Sequence, residues 1–127
     1  MPALRVLIVD DHDMVRRGLS VFLKSFEDLE LVGEARNGEE AIDMVKETRP
    51  DVVIMDIMMP EMDGTAATRY IHQHFPKVRV IALSSFSEDT LIQEVLRAGA
   101  SAHLMKNTSI GELVSAIRYA GTNAALA

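Results

Sequence analysis

The sequence predicts an α/β fold: a doubly wound, parallel five-stranded sheet with helices on both faces. Three observations carry that prediction. Five short apolar runs alternate with five segments of helical periodicity along 127 residues, so the unit βα occurs five times. The central run, Val52-Val53-Ile54-Met55, is apolar at every position, as a parallel strand covered on both faces must be. The length suits one domain with one core, and there is no internal repeat.

The first strand, residues 4–9, is rich in branched side chains and stops at Asp10-Asp11. Val15, Leu19, Phe22, Leu23 and Phe26 then recur at helical spacing, with Arg16, Arg17 and Lys24 assigned to other, solvated faces. Residues 29–35 read as the second strand, Asn37-Gly38 as a turn and 39–47 as the second helix, broken by Arg49-Pro50. The third strand is 51–56. A loop over 60–64 follows, then a helix over 65–75 that Pro76 ends. The fourth strand is 78–83. Ser87 is the expected N-cap of a helix running to Ala98, with Glu88 and Asp89 in its first turn and Gly99 as its stop. Residues 102–105 form a short fifth strand. Ile110, Leu113, Val114 and Ile117 mark a last helix over 109–120, and 121–127 read as the start of a linker.

Composition narrows the function. Apolar residues make up 48% and charged residues 25%, an ordinary balance for a folded domain. The absence of cysteine excludes disulfides, thiolate metal sites and cysteine nucleophiles. A net charge of −6 leaves no basic footprint for nucleic acid, so any action on DNA requires another domain. The apolar run after Met1-Pro2-Ala3 is too short for a signal peptide or a membrane span, and a cytoplasmic location without membrane contact is expected.

In doubly wound sheets, ligands bind at the carboxyl ends of the strands. Those ends carry Asp10-Asp11, Asp56, Ser84-Ser85 and Lys106. Carboxylates at close range raise one another's pKa, and a hard divalent cation such as Mg²⁺ relieves this while leaving positions open for a phosphoryl oxygen. Lys106 and the Ser84 hydroxyl offer donors for two more phosphoryl oxygens. Asp56 is then the nucleophile, forming an aspartyl phosphate.

Val9-Asp10-Asp11, the run Met55-Asp56-Ile57-Met58-Met59-Pro60-Glu61-Met62-Asp63-Gly64, Ala82-Leu83-Ser84-Ser85 and Leu104-Met105-Lys106 together resemble the receiver domain of bacterial two-component response regulators. Arg97-Ala98-Gly99-Ala100 and Leu104-Met105-Lys106-Asn107 resemble its NarL/LuxR-type subgroup. The resemblance implies a flavodoxin-like sheet in the order 2-1-3-4-5 and a receiver domain over residues 1–120. It implies that Asp56 accepts a phosphoryl group from a sensor histidine kinase. Asp11, Asp56 and the backbone carbonyl of Met58 hold Mg²⁺, and Asp10 acts through water. Ser84 and Lys106 contact the phosphoryl group, and movement of Ser84 is coupled to a switch side chain three residues before the lysine. That position is usually Tyr or Phe; here it is His103, preceded by Ala102 where the subgroup often has Gly. Asn107 stands where many receivers have Pro. Homodimerisation on phosphorylation is implied, and DNA contact only through a helix-turn-helix domain beyond the linker.

Competing readings exist for each residue. Asp10-Asp11 could cap the first helix, Ser84-Ser85 could be ordinary strand-end hydroxyls, and Lys106 could be a solvated lysine. His72 and His74 sit two apart and share no helix face, so they read as surface histidines. His12, beside the acid pair, could influence metal affinity, though background to that pair is the favoured reading, and Asp63-Gly64 reads as a turn and helix start. Asp11-His12-Asp13-Met14-Val15 also fits the nucleophile motif of haloacid-dehalogenase-type phosphatases. That family needs a late acidic pair, whereas Glu112 is the only acid after Lys106. A dinucleotide site is disfavoured because the loop after the first strand is acidic and lacks glycine. A receiver fold that is never phosphorylated is the remaining competitor, kept open by His103.

Overall fold

The computed structural model describes residues 3–59, 62–85 and 89–126. Five strands, β1 (Leu4–Val9), β2 (Leu29–Ala35), β3 (Val52–Asp56), β4 (Arg79–Ser84) and β5 (Ala102–Met105), alternate with five helices. These are α1 (Asp13–Lys24), α2 (Gly38–Thr48), α3 (Gly64–His74), α4 (Asp89–Ala98) and α5 (Ile110–Leu126). All strand pairs are parallel, in the order β2-β1-β3-β4-β5.

Alternation along the strands builds two cores, because successive side chains point to opposite faces. Val6 and Ile8 of β1, Val52 and Ile54 of β3, and Ile81 and Leu83 of β4 pack with Leu23 of α1 and Leu113, Val114 and Ile117 of α5. Leu7, Val9, Val53, Met55, Val80 and Ala82 point the other way, onto Ala41, Ile42 and Val45 of α2, Ala67 and Ile71 of α3, and Val95 of α4. Among the described residues no helix is long and apolar enough to cross a membrane.

The helix termini follow local chemistry. Asn37, expected in a turn, is the N-cap of α2: its side chain accepts the Glu40 N–H at 2.9 Å, while Glu40 Oε1 accepts the Arg36 N–H at 3.1 Å. Arg49 ends α2 in the left-handed region, φ 49°. Asp63 caps α3 by accepting the Ala66 N–H at 2.8 Å. Ser109 caps α5, accepting the Glu112 N–H at 3.1 Å. Ser87 and Glu88, expected at the start of α4, lie outside the described residues.

Two expectations need correction. The last helix does not stop at Ala120: α5 continues to Leu126, so residues 121–126 are helical. Gly121, read as the first residue of a linker, is buried, and a Cβ there would meet Leu4 Cδ1 at 2.7 Å. It is a packing residue that lets α5 close on the first strand. The second correction concerns α1, whose buried residues are Arg16, Ser20 and Leu23, while Phe22 and Val21 are exposed. The buried stripe follows i, i+4, i+7 from position 16, which turns Phe22 to solvent.

Gly99 closes α4 at φ 120°, a conformation L side chains rarely adopt, and a Cβ there would lie 2.6 Å from His72 Cβ. Gly99→Ala is expected to lower stability by about 2 kcal/mol in urea unfolding. Adding His72→Ala should recover only the part owed to the ring. Full recovery in the double variant would assign the whole cost to that contact and none to the backbone.

Candidate functional site

β1 and β3 are neighbours, with Val9 opposite Met55. The next residue on each, Asp10 and Asp56, therefore emerges at the same end of the sheet about one strand spacing apart, near 4.8 Å. Both are almost completely buried. Met55, in turn, pairs with Ala82 of β4, which puts Ser84 just beyond on the next strand. Lys106 follows β5, where its backbone N–H donates to the Ser84 carbonyl at 2.8 Å. Its side chain reaches over β4 and brings Nζ to 3.0 Å from Asp56 Oδ2 and 3.2 Å from Asp10 Oδ2.

Asp10, Asp11, Asp56, Ser84 and Lys106 thus converge on one end of the sheet, at strands that are scattered in sequence. Met58 is tied to the same spot by its backbone: its N–H donates to Asp56 Oδ1 at 3.1 Å. His103 lies beside Ser84, with Nε2 2.7 Å from the Ser84 hydroxyl. Pro60 and Glu61 of the motif lie outside the described residues.

The electrostatics reflect this crowding. Burial pushes the Asp56 carboxyl up, and Asp10 adds to the push; hydrogen bonds from Lys106 and the Met58 N–H pull the other way without cancelling it. For Lys106, burial pulls the ammonium down, but the Asp56 and Asp10 carboxylates outweigh it and leave the pKa raised. Burial lowers His103, which favours the neutral ring. Asp10 Oδ2 and Asp11 Oδ1 are shielded from solvent and make no hydrogen bond among the described residues. Each has an ion-pair neighbour instead, Lys106 Nζ for Asp10 Oδ2 and, at 3.3 Å, His12 Nδ1 for Asp11 Oδ1. One ligand atom from each of Asp10, Asp11, His12 and Asp56 lies within 4.8 Å of the others. Shielded carboxylate oxygens with free lone pairs suit a hard divalent cation.

Sequence reasoning missed two contributors, Arg16 and Gly64, and ranked a third, His12, as background. Arg16, assigned to a solvated face, is buried; its Nη1 donates to the Asp10 carbonyl at 2.6 Å, Nη2 pairs with Asp13, and Nε lies 3.4 Å from Glu34. It braces the loop that carries the acid pair. Its i, i+4, i+7 relation to Ser20 and Leu23 was the available signal, masked by its charge. Gly64 had been read only as a helix start, yet a Cβ there would collide with the Asp56 carbonyl and lie 2.6 Å from Ile57 Cα. Its backbone N–H donates to the Ile57 carbonyl at 3.2 Å, so α3 begins directly against the end of β3. His12 is the third, with Nδ1 2.8 Å from Asp10 Oδ1.

Comparison with known proteins agrees with this geometry. The family model described as the response regulator receiver domain matches residues 6–118. Response regulator protein VraR from Staphylococcus epidermidis is 41% identical over 116 residues, which is 91% of this chain and 56% of that protein. The chain therefore spans little more than half the length of the curated relatives it matches. Among solved structures, a signal receiver domain from Mycobacterium tuberculosis (NarL) superposes with a TM-score of 0.92 at 30% identity, covering 96% of this chain and 98% of that one. A DNA-binding response regulator of the LuxR family from Staphylococcus aureus gives 0.87 at 28% identity, covering 93% and 98%. The sheet order is the one expected of that family, and this chain belongs to the response regulator receiver domains of two-component systems.

Proposed function

We propose that this receiver domain is switched by phosphorylation of Asp56, with a sensor histidine kinase as donor. The supporting observation is the placement of Asp56: a nearly buried carboxylate, 3.0 Å from the Lys106 ammonium and grouped with Asp10 and Asp11. An Asp56 oxygen attacks phosphorus, a P–O bond forms as the P–N bond to the donor histidine breaks, and the imidazole leaves with that electron pair and takes up a proton. With acetyl phosphate the bond broken is P–O and acetate leaves. Asp11, Asp56 and the Met58 carbonyl would hold Mg²⁺, with Asp10 acting through water. When bound, the ion supplies positive charge to the phosphoryl oxygens. Lys106 and the Ser84 hydroxyl donate to the same group. Attack by water at phosphorus later releases inorganic phosphate and restores the carboxylate, so the domain catalyses its own resetting.

The readout passes through Ser84 and His103. As the hydroxyl turns to a phosphoryl oxygen, its 2.7 Å contact with His103 Nε2 is broken or carried along, and the surface formed by α4, β5 and α5 changes. That surface, or the one formed by α1 and α5, would form a homodimer. In a longer parent protein, a helix-turn-helix domain reached through residues 121–127 would then bind DNA. The reading places the protein in the cytoplasm.

Intact mass after incubation with Mg²⁺ and acetyl phosphate tests the central step. One phosphoryl group should add to the wild type, and the gain should vanish with a chelator or in Asp56→Ala. No adduct on the folded wild type would leave a receiver fold that is not phosphorylated. An adduct surviving Asp56→Ala but not Asp11→Ala would indicate phosphatase-like chemistry at Asp11.

The raised Asp56 pKa predicts a pH-dependent cost. A carboxyl whose folded pKa exceeds its unfolded value holds its proton more readily in the folded chain. The fold is therefore penalised above the ordinary carboxylate range, and the penalty fades as pH falls through it. Asp56→Asn is expected to raise the thermal midpoint by a few degrees near neutral pH, with the gain shrinking towards about pH 4. A lower midpoint at neutral pH would mean that the pairing with Lys106 outweighs the cost of burial.

A further inference from the structure

We infer that a cavity between α5 and the starts of β4 and β5 is a binding site for a small organic anion, whose carboxylate or phosphate group is held by the Arg79 guanidinium. The site lies at the amino ends of the strands, away from the acid pocket, and it stands whether or not Asp56 is phosphorylated.

Arg79 occupies a position where an apolar residue is expected. Alternation along β4 puts it in one row with Ile81 and Leu83, and that row packs with Leu113, Val114 and Ile117 of α5. An arginine carried towards a core is normally paired. Here Nε is shielded from solvent and makes no hydrogen bond among the described residues. The arginine ion pairs among those residues engage Arg5, Arg16 and Arg118, and leave Arg79 without a carboxylate.

Small neighbours leave room beside it. Ala116 and Ala120 of α5 line, with Arg79, a cavity of about 600 Å³. That is more than an inorganic oxyanion fills, and it falls within the range of small-molecule sites, roughly 300–1,000 Å³. Ser101, Ser115 and Tyr119 add three hydroxyls, and no carboxylate lines the cavity although the chain carries a net charge of −6. Two other cavities also hold basic residues, but the one at Arg49 and Lys77 includes Asp51, and the one at Lys24 includes Glu27 and Glu30. An anion enters the Arg79 cavity without meeting a like charge on its walls.

The chemistry of the guanidinium sets the class of ligand. It is planar and always charged, and Nε–H with one Nη–H makes a side-on fork that matches two oxygens of a carboxylate or a phosphate. The hydroxyls supply further donors. The alanine methyls and the Tyr119 ring, on a residue 74% exposed, offer apolar surface to the rest of the molecule.

Amide NMR titration of the full chain, without added divalent cation, tests this with benzoate, phenyl phosphate and the uncharged control benzyl alcohol. At least one of the two anions should give saturable shifts at Arg79, Ser101, Ser115 and Tyr119, and the alcohol none. The anion that binds more tightly identifies the head group. Arg79→Gln should lose about tenfold or more in affinity. Arg79→Lys should also bind more weakly, because a point charge lacks the fork. Arg17→Gln, at an exposed position on α1, should bind as the wild type does. Circular dichroism on each variant establishes that the fold is retained. If Arg79→Gln does not fold, Ser115→Phe, at an exposed position on α5, obstructs the cavity and should suppress the same shifts. No saturable shift at these residues with either anion would overturn the inference. So would unchanged affinity in the folded Arg79→Gln or Ser115→Phe variant, or shifts confined to the acid pocket around Lys106.

Discussion

Lys106 and Asp56 come from strands that do not touch, and their contact governs the chemistry of this end of the sheet. β4 separates β3 from β5, so the ammonium has to cross it to stand 3.0 Å from Asp56 and 3.2 Å from Asp10. An exposed ion pair of this length would contribute little. Here both carboxylates are almost fully buried, the field between them is poorly screened, and removing the Lys106 ammonium would leave like charges facing each other in a low dielectric. The compensation is incomplete, because one ammonium meets two buried carboxylates. Burial, with the Asp10 charge adding to it, keeps Asp56 above its usual pKa and makes the pocket attractive to a cation and to an electrophile.

Strand pairing fixes where those charges stand. Val9 opposite Met55 forces Asp10 beside Asp56, and no side-chain preference is needed to bring them together. The acid loop after β1 has less support from the sheet and is held by Arg16, whose guanidinium reaches the Asp10 carbonyl, Asp13 and Glu34 at once. A buried guanidinium is tolerated only where its donors are met. The turn of α1 that buries it also exposes Phe22, so the electrostatics of the loop set the rotation of the helix. At the other side, Gly64 allows α3 to begin in contact with the Asp56 backbone, which leaves that strand end little room to shift.

Much of this was legible in the sequence, for a physical reason. Parallel strands buried on both faces are nearly all apolar, so a single Asp, Ser or Lys beyond such a run announces the strand end and the site together. The five strands and the converging residues Asp10, Asp11, Asp56, Ser84 and Lys106 were readable on that basis. What misled was residue type taken at face value. Arg16 looked solvated because arginine usually is, and Phe22 looked buried because phenylalanine usually is. Gly121 looked like the start of a linker, yet it is the point where α5 presses on Leu4. In each case a tertiary contact outweighed the local preference, and no periodicity within one segment reports a contact made with another.

His103 shows what a departure from the family pattern retains. A Tyr or Phe couples to its neighbours by the volume it fills, whereas the smaller imidazole sits 2.7 Å from the Ser84 hydroxyl with a ring nitrogen towards it. A hydroxyl has one proton to donate. With Nε2 bare, Ser84 donates to the ring and has to surrender that bond before it can donate to a phosphoryl oxygen. With Nε2 protonated, the ring donates to Ser84 and the hydroxyl oxygen accepts. Burial lowers the His103 pKa and favours the neutral ring, the form with these two tautomers. Under the proposed phosphorylation of Asp56, either tautomer makes the position of the His103 ring depend on where Ser84 points, through a directional bond in place of steric fit.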